Sequence, residues 1–165
     1  NTVFYQIFPE RFNNGKEELS PEGITNWSDR SPETDSFYGG DLKGITNKLD
    51  YLDELGIGAI YLTPIFKSDT NHKYNIIDYK KVDPQFGDLE TLKELVNQAH
   101  KRDIKIILDG VFNHTSDKFF AFQDVLENGA DSDYKDWYYI DDFPIRQNPK
   151  IKKKLLKEFI NEVKI

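Results

Sequence analysis

Asp109, Asn113 and His114 follow an apolar run and bring a carboxylate, an amide and an imidazole together within six residues. Such a set both donates and accepts hydrogen bonds, and its imidazole ring is titratable. The run itself, Ile104 to Leu108 interrupted by Lys105, reads as a mostly buried strand. In parallel α/β folds ligands bind where strands end, because the loops leaving them converge on one crevice. An Asp-Gly turn with an exposed histidine would give the same letters, so placement carries the reading. Asn71-His72-Lys73-Tyr74-Asn75 forms a second group. Sugars are bound by aromatic rings under their C–H faces and polar groups around their hydroxyls, a task that suits Tyr74 and His72. The plain alternative is a polar loop with a tyrosine packed on its rim. In Phe37-Tyr38-Gly39-Gly40-Asp41 a carboxylate follows two glycines. It is either a helix N-cap or part of an approach to a hard cation such as calcium.

The elements that must position these groups follow from periodicity. Val3 to Phe8 is rich in β-formers and stops at Pro9, which predicts a first strand. Ile45, Leu49, Leu52 and Leu55 fall at helical spacing, with Gly56 as a stop. Ala59 to Leu62 is a second strand. Asp88 is a good N-cap for a helix with Leu89, Leu92, Leu95, Val96 and Ala99 on one face. The order is β-α-β-α-β, with short links from helix to strand. The links leaving the strands run on the order of 20–40 residues, against a usual 2–6. Long loops at one end of a parallel sheet and short loops at the other describe a (β/α)8 barrel, although three strands cannot close one. Beyond Asn148-Pro149 a basic amphipathic helix is expected, with Ile151, Leu155, Leu156, Phe159, Ile160 and Val163 on one face. Such a helix serves either as an outer layer of the domain or, less commonly, as a membrane-surface or partner-binding element.

Composition narrows the classes. The 165 residues are 38% hydrophobic and 14% aromatic, enough for a packed core. A net charge of −7 argues against nucleic-acid binding over the chain as a whole. Without cysteine there is no disulfide, thiolate metal site or cysteine nucleophile. No apolar run approaches the roughly 18–20 residues of a membrane span, and no signal peptide is visible. The chain starts at Asn1 and lacks methionine, so it reads as a piece of a longer protein.

Taken in order, five segments give the chain a family likeness. They are Phe4 to Phe12, Tyr38 to Ile45, Leu55-Gly56-Ile57 through Leu62-Thr63-Pro64-Ile65-Phe66, Asn71 to Gly87, and Asp109 to His114. In register over residues 1–145 they resemble the α-amylase family of glycoside hydrolases, in particular its neopullulanase, cyclodextrinase and maltogenic-amylase branch. The resemblance implies an α/β fold: the first three βα units of a (β/α)8 TIM barrel, incomplete in this chain. Residues 1–114 would belong to that barrel and 115–147 to a shortened small domain inserted after the third strand. Residues 148–165 would be the amphipathic helix leading to a fourth strand. Tyr74 would stack under the sugar at the cleavage point, with His72 nearby and His114 hydrogen-bonding its hydroxyls. Asp109 would support the site by orienting an arginine near the nucleophile. The chemistry implied is retaining hydrolysis or transfer at α-glucosidic bonds of maltodextrin, cyclodextrin or pullulan. Its three carboxylates would follow the fourth, fifth and seventh strands, outside this chain, so the chain alone is expected to be inactive.

The resemblance also suggests calcium through Asn14, Gly39 and Asp41, and at Asn113. Against that, Lys16 stands in the early calcium loop, and an ammonium cannot ligate a cation. An α-glucan oligosaccharide or cyclodextrin is the expected partner, with no nucleic acid and no membrane. A homodimer is raised for the complete protein, and cytoplasmic localisation is expected. Two rival readings stay open. One is a non-catalytic sugar-binding or interaction module derived from the same fold. The other is a metal-dependent hydrolase with Asp109, Asn113 and His114 as ligands.

Overall fold

The computed structural model describes residues 2–26, 28, 33, 34 and 36–145, and the two-residue strand Lys152–Lys153. Three strands form a parallel sheet: β1 (Phe4–Ile7), β2 (Ala59–Leu62) and β5 (Lys105–Leu108), in the order β1-β2-β5. The register pairs Ile7 with Leu62 and Leu62 with Leu108, so all three strands end level. Backbone bonds extend the sheet beyond the strands, from Thr63 N–H to the Ile7 carbonyl and from Asp109 N–H to the Leu62 carbonyl. Asp109 is thereby fixed at the sheet's C-terminal end.

Between β1 and β2 lie two short helices, α1 (Leu42–Asn47) and α2 (Leu49–Glu54), where one helix over 45–55 was expected. The break is at Lys48, whose φ −108° and ψ 9° leave the helical region. Asp41 starts α1 as an N-cap, accepting the Gly44 N–H at 2.6 Å. Helix α3 (Leu89–His100) is capped in the same way, by Asp88 accepting the Thr91 N–H. It buries Leu92, Leu95 and Ala99, while Leu89 at its first turn is exposed.

Side chains alternate across the sheet. Tyr5, Ile7, Ile60, Leu62, Ile106 and Leu108 face the helices and join Ile45, Leu49, Leu52 and Leu95 in one core. The opposite face, carrying Phe4, Gln6, Tyr61 and Ile107, is more open. The expected burial of the third strand is therefore only partial, with Ile107 37% exposed, because β5 is an edge strand among the described residues.

The loop expected after β2 contains an antiparallel hairpin, β3 (Phe66–Ser68) with β4 (Ile76–Val82). Helix α4 (Phe120–Asn128) follows the third strand's loop. A second core joins Ile76 and Tyr79 of β4 to Val111, Phe119, Phe122, Val125 and Tyr138. The aromatic segment after residue 114 is thus packed onto the hairpin. The helix expected over 148–165 lies outside the described residues except at two positions. There Lys152–Lys153 (β7) pairs antiparallel with Tyr138–Tyr139 (β6), which departs from that expectation.

Candidate functional site

The level C-terminal ends of the three strands bring four of the sequence-selected residues together. Asp109 Oδ2 accepts two tyrosine hydroxyls, from Tyr61 at 2.5 Å and from Tyr74 at 3.0 Å. Tyr61 was not among the residues selected from sequence. Its register partner is Ile107, two residues before Asp109, so the pleat sets Tyr61 and Asp109 on one face. The only sign in the sequence is a hydroxyl-bearing side chain in an otherwise apolar strand.

His72 and Tyr74 stand beside each other, ring centroids 5.8 Å apart. The Tyr74 backbone N–H donates to His72 Nδ1 at 3.1 Å. Nδ1 is therefore an acceptor, and in the neutral ring Nε2 carries the proton. His114 reaches the same turn, its Nε2 lying 3.0 Å from the Tyr74 carbonyl oxygen. A carbonyl only accepts, so this Nε2 is a donor. The imidazole expected to meet sugar hydroxyls is thus used, at that nitrogen, to hold Tyr74 in place. Buried Tyr79 secures the loop carrying His114, its hydroxyl 2.6 Å from the Val111 carbonyl and 2.7 Å from that of His114.

The electrostatics follow from these bonds. Hydrogen bonding to the Asp109 carboxylate, with some burial, pushes the Tyr61 hydroxyl up to about 12. Burial first and the Asp109 bond second also raise Tyr74. Both hydroxyls stay protonated across the physiological range, and neither bond uses Asp109 Oδ1.

The residues proposed for calcium fall elsewhere. Asp41 is fully buried, and its carboxylate accepts the Gly44, Gly15 and Lys16 N–H groups at 2.6, 3.0 and 2.8 Å. Asn14 donates to Ser20 Oγ at 2.9 Å, and its Oδ1 is buried without a hydrogen-bond partner among the described residues. Gly39, at φ +76°, donates its N–H to Glu10 Oε1 at 3.0 Å. Asn113 is exposed on the loop after β5. Among the described residues, no three His, Asp or Glu side chains are grouped to hold a metal ion. Asp109 and His114, ligands in the metal-dependent reading, are hydrogen-bonded to Tyr61 and Tyr74 in the fold.

Known proteins match this chain closely. A family model described as the α-amylase catalytic domain matches residues 6–162. Neopullulanase 2 of Thermoactinomyces vulgaris is 59% identical over 144 residues, covering 87% of this chain and 25% of that protein. An intracellular maltogenic amylase of Bacillus subtilis is 52% identical over 145 residues, 88% of this chain and 25% of that protein. Among solved structures, the ligand-free cyclic α-maltosyl-(1→6)-maltose hydrolase of Arthrobacter globiformis superposes with a TM-score of 0.84 at 46% identity. That match covers 93% of this chain and 34% of the hydrolase, which has also been solved with maltose. The chain spans about a quarter of the length of these curated relatives.

Proposed function

The chain belongs to the α-amylase family, and we propose that it supplies the sugar-binding floor of a retaining glycoside hydrolase acting on α-glucosidic bonds. The observation that carries this is the joint placement of Tyr74, His72, His114 and Asp109 at the end of one parallel sheet. In this reading β1, β2 and β5, with their helices, are the first three βα units of a (β/α)8 barrel. The hairpin and the aromatic segment around α4 form walls above the strand ends.

Tyr74 offers its ring to a sugar face while its hydroxyl is tied to Asp109. His72, with its Nε2 proton, donates to a hydroxyl of the same sugar. His114 acts through the Tyr74 carbonyl, which its Nε2 meets at 3.0 Å. Asp109 keeps Oδ1 available for an arginine from a later strand. The nucleophile and the acid/base carboxylate come from elsewhere in the complete protein. Substrates are maltodextrin, cyclodextrin or pullulan. This fits the maltose complex of the A. globiformis hydrolase and the name of the neopullulanase. The intracellular B. subtilis relative supports a cytoplasmic enzyme.

We read the loop around Asn14 as closed by hydrogen bonds, without calcium. Asp41 already accepts three N–H groups, and Lys16 offers no ligand. The buried Asn14 Oδ1 could coordinate a cation, but one amide oxygen is far from the about 6–8 ligands calcium takes. Titrating calcium should release no heat and leave the melting temperature unchanged. A calcium-dependent rise in melting that Asp41→Asn removes would overturn this reading.

The direct test of function is cleavage of β-cyclodextrin, pullulan and maltotriose by the complete protein, beside the 165-residue polypeptide. Cleavage is expected from the former only, and Tyr74→Ala should lower kcat/KM by about tenfold or more. Binding without cleavage by the complete protein would favour a non-catalytic sugar-binding module. Neither binding nor cleavage would remove the sugar site altogether.

A further inference from the structure

Between His72 and Tyr74 sits a lysine that the site description does not use. Lys73 is 1% exposed, and its backbone has φ +59°, the left-handed region that disfavours residues other than glycine. Its ammonium lies 3.0 Å from Asp83 Oδ2 and 2.7 Å from Gln85 Oε1, and 5.3 Å from the centre of the Phe86 ring. Asp83 is just as fixed, its two oxygens accepting the Ser68 and Gln85 N–H groups. Asn71, also buried, donates to the Thr34 and Ser36 carbonyls. Residues 71 and 73 thus point inward, and residues 72 and 74 stand partly open on the crevice side.

A buried ion pair is a poor source of stability, because desolvating both charges offsets most of their attraction. Burial accordingly lowers the Lys73 ammonium, against the pull of Asp83. Here a desolvated charge and a left-handed backbone are combined at one residue. What the arrangement secures is geometry. Drawing residue 73 inward turns its neighbours outward, where Tyr74 reaches Asp109 and His114. We propose that Lys73 is a positioning residue for Tyr74: its ammonium, seated on Asp83 and Gln85 beneath the turn, fixes the stacking ring in the sugar crevice. The sugar readout of this inference rests on the function proposed above; the geometric readout does not.

The test uses the complete protein with ring-labelled tyrosine, comparing wild type, Lys73→Met and Lys73→Met/Asp83→Asn. The Tyr74 hydroxyl is followed by NMR across alkaline pH, and maltotriose affinity and melting temperature are measured in parallel. In Lys73→Met the Tyr74 titration should fall back toward the ordinary tyrosine value, and maltotriose should bind about tenfold more weakly or worse. The double variant removes both buried charges. It should regain part of the melting temperature, the amide still accepting one of the two N–H groups held by Asp83, while Tyr74 stays displaced and binding stays weak. It also keeps the inference testable should the single variant fail to fold. If Tyr74 titrates and maltotriose binds as in wild type in the double variant, Lys73 serves stability alone and the inference is overturned. If the Tyr74 titration falls but wild type binds no maltotriose, the positioning inference stands and the sugar-site reading fails.

Discussion

At the scale of single residues, Asp109 organises the strand ends by accepting two hydroxyls on one oxygen. Tyr61 shows how that bond couples to pH. An unfolded tyrosine titrates at about 10, whereas Tyr61 is raised to about 12 in the fold. Between those values the folded chain keeps a proton that the unfolded chain has released. This contribution to stability is complete below the unfolded value and is lost as pH rises through the folded one. Tyr74, Tyr79 and Tyr138 are displaced in the same direction, so the alkaline loss is shared. Tyr61→Phe should cost about 1 kcal/mol at neutral pH and make the fall above about pH 10 shallower. Urea unfolding at a series of alkaline pH values checks this, and identical slopes in both proteins would count against the assignment. Glu10 makes a separate case. It is 1% exposed and accepts the Tyr38 and Gly39 N–H groups, so Glu10→Ala should cost roughly 2–4 kcal/mol by stranding buried donors. The sequence offers Asp109, His114, His72 and Tyr74 as candidates because polar groups beside apolar strands invite a functional reading, and the fold brings the four together. Neither Tyr61 nor Lys73 is marked in this way: the partner of Tyr61, Asp109, lies 48 residues on, and nothing in the sequence shows that Lys73 turns inward onto Asp83 and Gln85.

At the scale of elements, legibility followed local signals. All three parallel strands fall within two residues of their expected bounds, since β-branched runs ending at Pro9 or Asp109 admit few alternatives. Asp41 and Asp88 mark both helix starts through their caps. The hairpin of β3 and β4 was hidden, because Lys67, Asp78, Lys80 and Lys81 make its sequence look like a loop. Tertiary packing decides it, with Ile76 and Tyr79 buried in the aromatic core. Helix α4 has no side-chain cap bond at Phe119 and so gave no start signal. Packing between loop and helix makes a sharper prediction at Gly44. A Cβ built there would stand 1.8 Å from the Asn13 carbonyl oxygen, so the loop before Gly15 must move if anything larger is introduced. Gly44→Ala should cost about 3 kcal/mol. Gly56, at φ +74° with nothing within 4 Å, meets only backbone strain, and Gly56→Ala should cost about 1 kcal/mol. Urea midpoints of the two variants report the contrast, and equal costs would mean that the Asn13 loop yields freely.

At the scale of the whole molecule, the described residues cover the sheet on one side only. Helices α1, α2 and α3 close over Ile7, Ile60 and Leu62, while Phe4, at 62% exposure, and Ile107, at 37%, lie on the other face. Among the described residues β1 and β5 also have no strand on their outer sides. Unpaired backbone beside exposed apolar side chains is a template for pairing with another chain. In a (β/α)8 barrel the same face is the packed interior, filled by side chains from further strands. The residues suited to barrel closure are therefore those that should make the 165-residue polypeptide associate with itself. We expect concentration-dependent oligomers in light scattering, and binding of a hydrophobic dye that the complete protein does not bind. Making the face polar at unchanged net charge should be what cures it: Phe4→Gln, with Ile107→Gln, is expected to shift the population toward monomer. A monodisperse monomer of the unaltered polypeptide, melting cooperatively, would show instead that the three-stranded layer and its helices are self-sufficient.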